Sequence, residues 1–235
     1  MSWFDVKVMT CPTCQREFEA GTAETINVTR MPWAREQILA GHFHTVECPH
    51  CDAVHHVDRG FLYTDFGRNH FVMVHANASL GDWPALEEVT GKVFSDVTHH
   101  APPLVQQMAT QFTVRAVFGL RDLEDKLRLW DAGLDDRVVE LLKLELMVQT
   151  PALARRADLR LSVQTVAESE DRLEIEAWSH DGSHPPVLYG AALARYRELD
   201  ARRAELEDRY PGLFFKPFAS FRRLARETAE PSEVS

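Results

Sequence analysis

An α+β protein is predicted: an N-terminal zinc-ribbon-like β-hairpin module, then a mostly helical half containing one further β-hairpin. Three observations predict it. Two Cys-Pro-x-Cys motifs stand among short, turn-punctuated runs near the N-terminus. From about Leu104 the apolar residues shift to helical spacing, and only Leu159 to Val166 returns to strict alternation. The 235 residues divide accordingly into a zinc-ribbon-like module over 1–103, a helical α+β region over 104–226 and a flexible tail over 227–235.

The elements follow in order. Val6-Lys7-Val8-Met9 reads as a strand before the first cysteine pair, and Glu24-Thr25-Ile26-Asn27-Val28 alternates as a half-buried strand does. Pro32 sits where a helix begins, so a short helix is expected from Trp33 to Ala40. Phe61-Leu62-Tyr63 and Phe71-Val72-Met73-Val74 flank Asp65-Phe66-Gly67-Arg68-Asn69, whose Gly and Asn mark a hairpin turn. Trp83-Pro84 and Ala101-Pro102-Pro103 punctuate a segment that receives no assignment.

In the second half, Leu120, Leu123, Leu127 and Trp130 recur at helical spacing and Gly133 is placed to end that helix. Asp135 or Asp136 then caps a second helix carrying Val138, Leu141, Leu142 and Glu145, which Pro151 ends. Leu159, Leu161, Val163 and Thr165 share one strand face, and Leu173, Ile175 and Ala177 supply a partner strand, closed by Pro185-Pro186. A long helix is expected from Tyr189 to Tyr210, where Tyr189, Ala192, Tyr196, Leu199, Arg203, Leu206 and Tyr210 alternate in steps of three and four. Pro217 to Arg226 reads as a short final helix.

Composition narrows the function. The apolar share of 45% suffices for a core, which excludes wholesale disorder. No run of 18 apolar residues occurs, so no bilayer-spanning helix is expected. Met1 to Cys14 carries Asp5 and no apolar run of signal-peptide length, so the expected location is cytoplasmic. A net charge of −10 repels a phosphate backbone, which disfavours nucleic acid as a partner.

Cys11-Pro12-Thr13-Cys14 and Cys48-Pro49-His50-Cys51 use every cysteine in the chain. In a reducing cytosol such pairs bind metal, and Cys11, Cys14, Cys48 and Cys51 are expected to hold one structural zinc ion at tetrahedral corners. Four cysteines close the coordination sphere, so this metal stabilises structure and activates no water. The 33 residues between the pairs exceed the usual 15–20 of a zinc ribbon and are expected to carry structure of their own.

With these motifs the chain resembles the CpXC-domain proteins, a family named for two Cys-Pro-x-Cys motifs. Phe61-Leu62-Tyr63-Thr64-Asp65 is similar to the family's hydrophobic-Tyr-x-Asp segment, and Leu127 to Arg137 to its helix-Gly-Leu-Asp-Asp-Arg element. The resemblance spans roughly residues 4 to 150. It implies a bacterial or archaeal zinc-ribbon-like module and adds nothing about catalysis.

Seven of the 11 histidines lie between residues 42 and 75: His42, His44, His50, His55, His56, His70 and His75. An open second metal site for a hydrolase would use about three of them, with Asp52, Asp58 or Asp65. Their spacing matches no H-E-x-x-H pattern, and the expected role is surface residue or donor to cysteine sulfur. No G-x-S-x-G, P-loop or dinucleotide fingerprint occurs. Asp135-Asp136-Arg137 reads as a helix cap with a local ion pair rather than a catalytic carboxylate pair. The catalytic set is therefore predicted to be empty.

The leading expectation is a cytoplasmic zinc-binding scaffold or adaptor that works through protein–protein interaction. Its partner or self-association contacts are placed on the Tyr189–Tyr210 helix or the Phe214–Arg226 segment, which has four phenylalanines, four basic residues and no acid. Folding of that segment onto its own core is the competing reading. Alternatives are the hydrolase and nucleic-acid binding through Arg30, Arg35 and Arg59.

Overall fold

The computed structural model describes residues 2–154, 159–179, 182 and 184–229. The chain divides into two compact units, Met1–Glu124 and Asp125–Ser235.

The first unit is built on a five-stranded sheet. Strands β1 (Trp3–Thr10) and β2 (Glu17–Asn27) form an antiparallel hairpin, followed by helix α1 (Pro32–Leu39) and a small hairpin of β3 (Thr45–Glu47) and β4 (Val54–His56). Next come β5 (Phe61–Asp65), β6 (His70–His75), α2 (Trp83–His99), α3 (Pro103–Ala109) and β7 (Thr113–Phe118). The sheet order is β1-β2-β5-β6-β7, with β2–β5 and β6–β7 parallel. A parallel pair needs a crossover. The first crossover carries α1 and the β3–β4 hairpin; the second carries α2 and α3.

The predicted hairpin over residues 61–74 is present, and Asn69 takes the left-handed φ of 57° its turn needs. The stretch punctuated by Trp83-Pro84 and Ala101-Pro102-Pro103 holds α2 and α3 and leads into β7, whose pairing with β6 carries the first unit past residue 103.

Helix α4 (Leu120–Asp131) ends as predicted. Gly133 has φ of 67°, and the Leu134 N–H returns to the Leu129 carbonyl at 2.9 Å. Asp135 caps α5 (Asp136–Gln149), accepting the Arg137 N–H at 2.9 Å. After α6 (Pro151–Ala154), β8 (Leu159–Ala167) and β9 (Arg172–Ser179) form the expected hairpin.

The expected long helix is corrected. Tyr189–Tyr210 is not a single helix: it contains most of β10 (Val187–Ala192), then α7 (Leu193–Asp200) and α8 (Arg203–Arg209). The hairpin edge of β9 is open, and pairing Tyr189 with Ile175 closes a three-stranded sheet, which outweighs the helical pattern. A turn at Ala201 and Arg202 then lets Arg203 reach Asp200 and Asp135. Tyr196, Leu199 and Leu206 still face the core of this unit.

The last segment folds inward. Phe214 and Leu213 in α9 (Pro211–Phe215), then Phe218, and Phe221 and Leu224 in α10 (Phe221–Ala229), are all buried. The final helix starts at Phe221 and not at Pro217, and it takes in 227–229 of the expected tail. Residues 230–235 lie outside the described residues.

Inside the second unit sits an ionic network that no local sequence pattern announces. Lys143 donates to Asp125 at 2.6 Å and to Glu140 at 2.9 Å. Lys126 donates to Glu140 at 2.9 Å and to the Ala219 carbonyl at 2.8 Å, and lies 3.2 Å from Asp136. Further donors complete the carboxylates: the Val163 N–H to Asp125, the Phe221 N–H to Glu140 and the Trp130 indole N–H to Asp136 at 3.2 Å. All five side chains are buried, so the network ties α4, α5, β8 and α10 together only as a complete set.

Candidate metal centre

Each cysteine pair occupies the turn of a hairpin. Cys11 and Cys14 lie between β1 and β2; Cys48 and Cys51 lie between β3 and β4. The two turns repeat one backbone pattern. The N–H of the first cysteine bonds five residues on, Cys11 to the Arg16 carbonyl and Cys48 to the Ala53 carbonyl, both at 2.9 Å. The N–H four residues on returns to the first cysteine's carbonyl, from Gln15 and from Asp52, again at 2.9 Å. Both of these residues are left-handed, with φ of 59° at Gln15 and 57° at Asp52. Such turns aim two sulfurs at one point, and proline at the second position stiffens them.

The turns are stapled to each other. Arg16 donates to the His50 carbonyl at 2.6 Å, and the His50 ring lies 3.1 Å from the Glu17 carbonyl. Met9, Phe18, Ala20 and Val46 pack around the cysteines as a small core.

The four sulfurs converge within 4.8 Å of one another, with Cys11–Cys51 and Cys14–Cys48 each 3.7 Å apart. A tetrahedron with metal–sulfur bonds of about 2.3 Å has sulfur–sulfur edges of about 3.8 Å, so the residues present fit such an ion. Their ionisation points the same way. The Arg16 N–H lowers the Cys14 thiol to about 6, and the Cys14 N–H lowers Cys11. Cys51 also receives an N–H, from Ala53, yet burial and the neighbouring sulfurs push it up to about 12. Four thiolates in this space conflict unless a cation joins them, and a coordinated thiol is deprotonated outright. Soft thiolates select zinc, copper(I) or iron. When bound, the metal supplies a closed structural cross-link between the two turns.

The histidines are spread over separate tasks. His55 places Nε2 3.4 Å from the Cys11 sulfur, the donor position expected for a histidine beside a metal site. His44 is buried, accepts the Ala23 N–H at Nε2 over 2.9 Å, stacks on Phe43 and meets Phe61 edge-on. His75 lies 3.2 Å from the Thr90 hydroxyl in the contact of β6 with α2. Among the described residues, the four cysteines form the one group that gathers three or more candidate ligand atoms. Of the arginines considered for nucleic acid, Arg59 ion-pairs with Glu24 and Arg35 lies beside the Tyr63 hydroxyl; Arg30 is exposed.

The pattern that defines the CpXC protein matches residues 9–143, more than half of the chain, and it begins just before the first knuckle. The chain belongs to the CpXC family. For this CpXC protein the match takes in both cysteine turns, α4, the Gly133 helix end and most of α5. Family membership and the converging sulfurs together make it a structural metal-binding protein. No curated protein and no solved structure matches the chain.

Asp135-Asp136-Arg137 keeps the structural role expected of it. Burial works to raise the Asp135 carboxyl, but its bonds to Arg137 outweigh that and hold it below the usual carboxylate range. The His55–sulfur contact and the Arg16–His50 staple were not identified individually from the sequence, since both join residues at least 34 positions apart.

Proposed function

We propose that this CpXC protein is a cytoplasmic, zinc-stabilised scaffold or adaptor that acts by binding a protein partner and not by catalysis. The observation that carries the reading is the closed four-sulfur set: all four cysteines converge on one point, leaving no coordination position for a substrate. Zinc is the ion assigned, because a redox-inert metal in a four-cysteine site serves folding. The histidines support this, since His44, His50, His55 and His75 each hold a position in the fold. No helix among the described residues is long and apolar enough to cross a membrane, which is compatible with the cytoplasmic assignment.

Partner contacts are assigned to the outward side of the segments from Tyr189 onward, where Phe215 stays 69% exposed while Phe214, Phe218 and Phe221 serve the core. The test is affinity capture with a Phe215→Glu variant, which removes a surface anchor and leaves the metal centre intact. A partner retained by the parent chain and lost by this variant, with unchanged metal content, supports the adaptor. A partner set unchanged by the substitution moves the contact elsewhere.

A further inference from the structure

A cavity of about 370 Å³ lies within the first unit, between the sheet and the helices of the second crossover. Its floor is one face of the sheet. Thr25 pairs with Leu62 and Thr64 with Phe71, so all four point the same way. Phe94, Val97 and Thr98 of α2 form one wall; Val105, Met108 and Ala109 of α3 form the other.

The chemistry of the lining is uniform. None of its residues is ionisable. The Thr64 hydroxyl donates to the Ile26 carbonyl and the Thr98 hydroxyl to the Phe94 carbonyl, so the polar hydrogen of each is already used by backbone. Four phenylalanine rings run around it in contact: Phe71 with Phe94 at 5.0 Å, Phe94 with Phe112 at 6.1 Å, and Phe112 with Phe66 at 5.6 Å. Offset and edge-on rings of this kind receive a flat or chain-like apolar group well.

Helix α3 says that something belongs there. It buries none of its seven residues, and Val105 and Met108, which face the cavity, stay 42% and 44% exposed. A helix this short cannot hold itself and must pack on something. Its inner side meets the cavity instead of the core, and Val97 and Phe66 at the same space are also exposed. The volume lies in the range of small-molecule sites, and the space is a cleft walled by the sheet and two helices and open to solvent on one side, not spread flat as a protein interface is.

We infer that the first unit binds a small, neutral, apolar molecule, aromatic or hydrocarbon, in the cavity between the Leu62–Phe71 sheet face and helix α3. A charged group finds no counter-ion in the lining, so an ionised ligand of the same shape is rejected. The ligand replaces water against the four rings and gives α3 the packing it lacks.

The test uses the full, metal-loaded chain and N-phenyl-1-naphthylamine, a neutral dye that brightens in apolar surroundings. The expected result is saturable binding of one dye per chain. Ala109→Trp and Met108→Trp, each filling the space from an exposed helix, weaken it at least tenfold, while Val148→Trp in the second unit leaves it unchanged. Naphthalene displaces the dye at a concentration at least tenfold lower than naphthalene-2-sulfonate does. Absence of saturable binding, parent-like binding by both α3 variants, or equal displacement by the sulfonate overturns the inference. So does dye binding that dissociates a dimer, because the occupant is then a second copy of the chain.

Discussion

His55 Nε2 stands 3.4 Å from the sulfur of Cys11, although 44 residues separate them. The contact joins the strand after the second knuckle to the first cysteine of the other knuckle. A ring N–H aimed at a thiolate disperses its charge and fixes its orientation. Replacing His55 with Ala should therefore weaken metal binding by about 10-fold or more while leaving the fold in place at saturating metal. Competition with a chelator of known affinity measures this, and an unchanged affinity would remove His55 from the metal site.

Removing the metal should act locally first. The small core around the cysteines consists of Met9, Phe18, Ala20, Val46 and the four sulfurs, and β3 and β4 have only three residues each. Without the cross-link little remains to hold that hairpin. Hydrogen exchange after chelation should show lost protection at Val46 and His55, with the Val163–Ile175 region of β8 and β9 retained.

His44 gives the first unit a pH dependence. Burial lowers its pKa from 6.5 to about 4, and its Nε2 must stay unprotonated to accept the Ala23 N–H. The folded value lies below the unfolded one, so this stabilisation is complete above about pH 6.5 and is lost as the pH falls towards 4. The loss amounts to about 2–3 kcal/mol once partial solvent access is discounted. Urea titrations across that window should show a shallower pH slope for His44→Gln than for the parent chain, both at the same metal concentration.

In the second unit, Lys143→Met should destabilise by about 3–5 kcal/mol. It strands Asp125 and Glu140, both buried, with only Lys126 and two backbone N–H groups as remaining partners. Denaturant unfolding followed on a signal from the second unit measures it. A loss below about 1 kcal/mol would mean that water enters the network.

Much of this fold can be read from its sequence because the signals are local. Gly133 followed by Leu134 and Asp135 writes a helix end and the next helix cap into adjacent residues, and both form as expected. The alternation at Leu159–Thr165 and the hairpin at Asp65–Asn69 are of the same kind. The cysteine motifs place the metal centre for the same reason. What the sequence hides depends on distant pairing. Tyr189 carries a helical pattern yet becomes a strand residue because Ile175 offers an open sheet edge. Gln15 and Asp52 take left-handed backbones without the glycine that would have announced them. Asp125, Lys126, Asp136, Glu140 and Lys143 look like helix surface, and only folding makes them one another's solvent.

Metal content per chain, measured by elemental analysis on protein purified without a polyhistidine tag, decides whether the four cysteines hold a single structural ion. One tightly held zinc per chain, absent from Cys48→Ser, is the predicted result. A chain that purifies folded with no metal, or that holds a second equivalent lost on substituting a histidine, would contradict it.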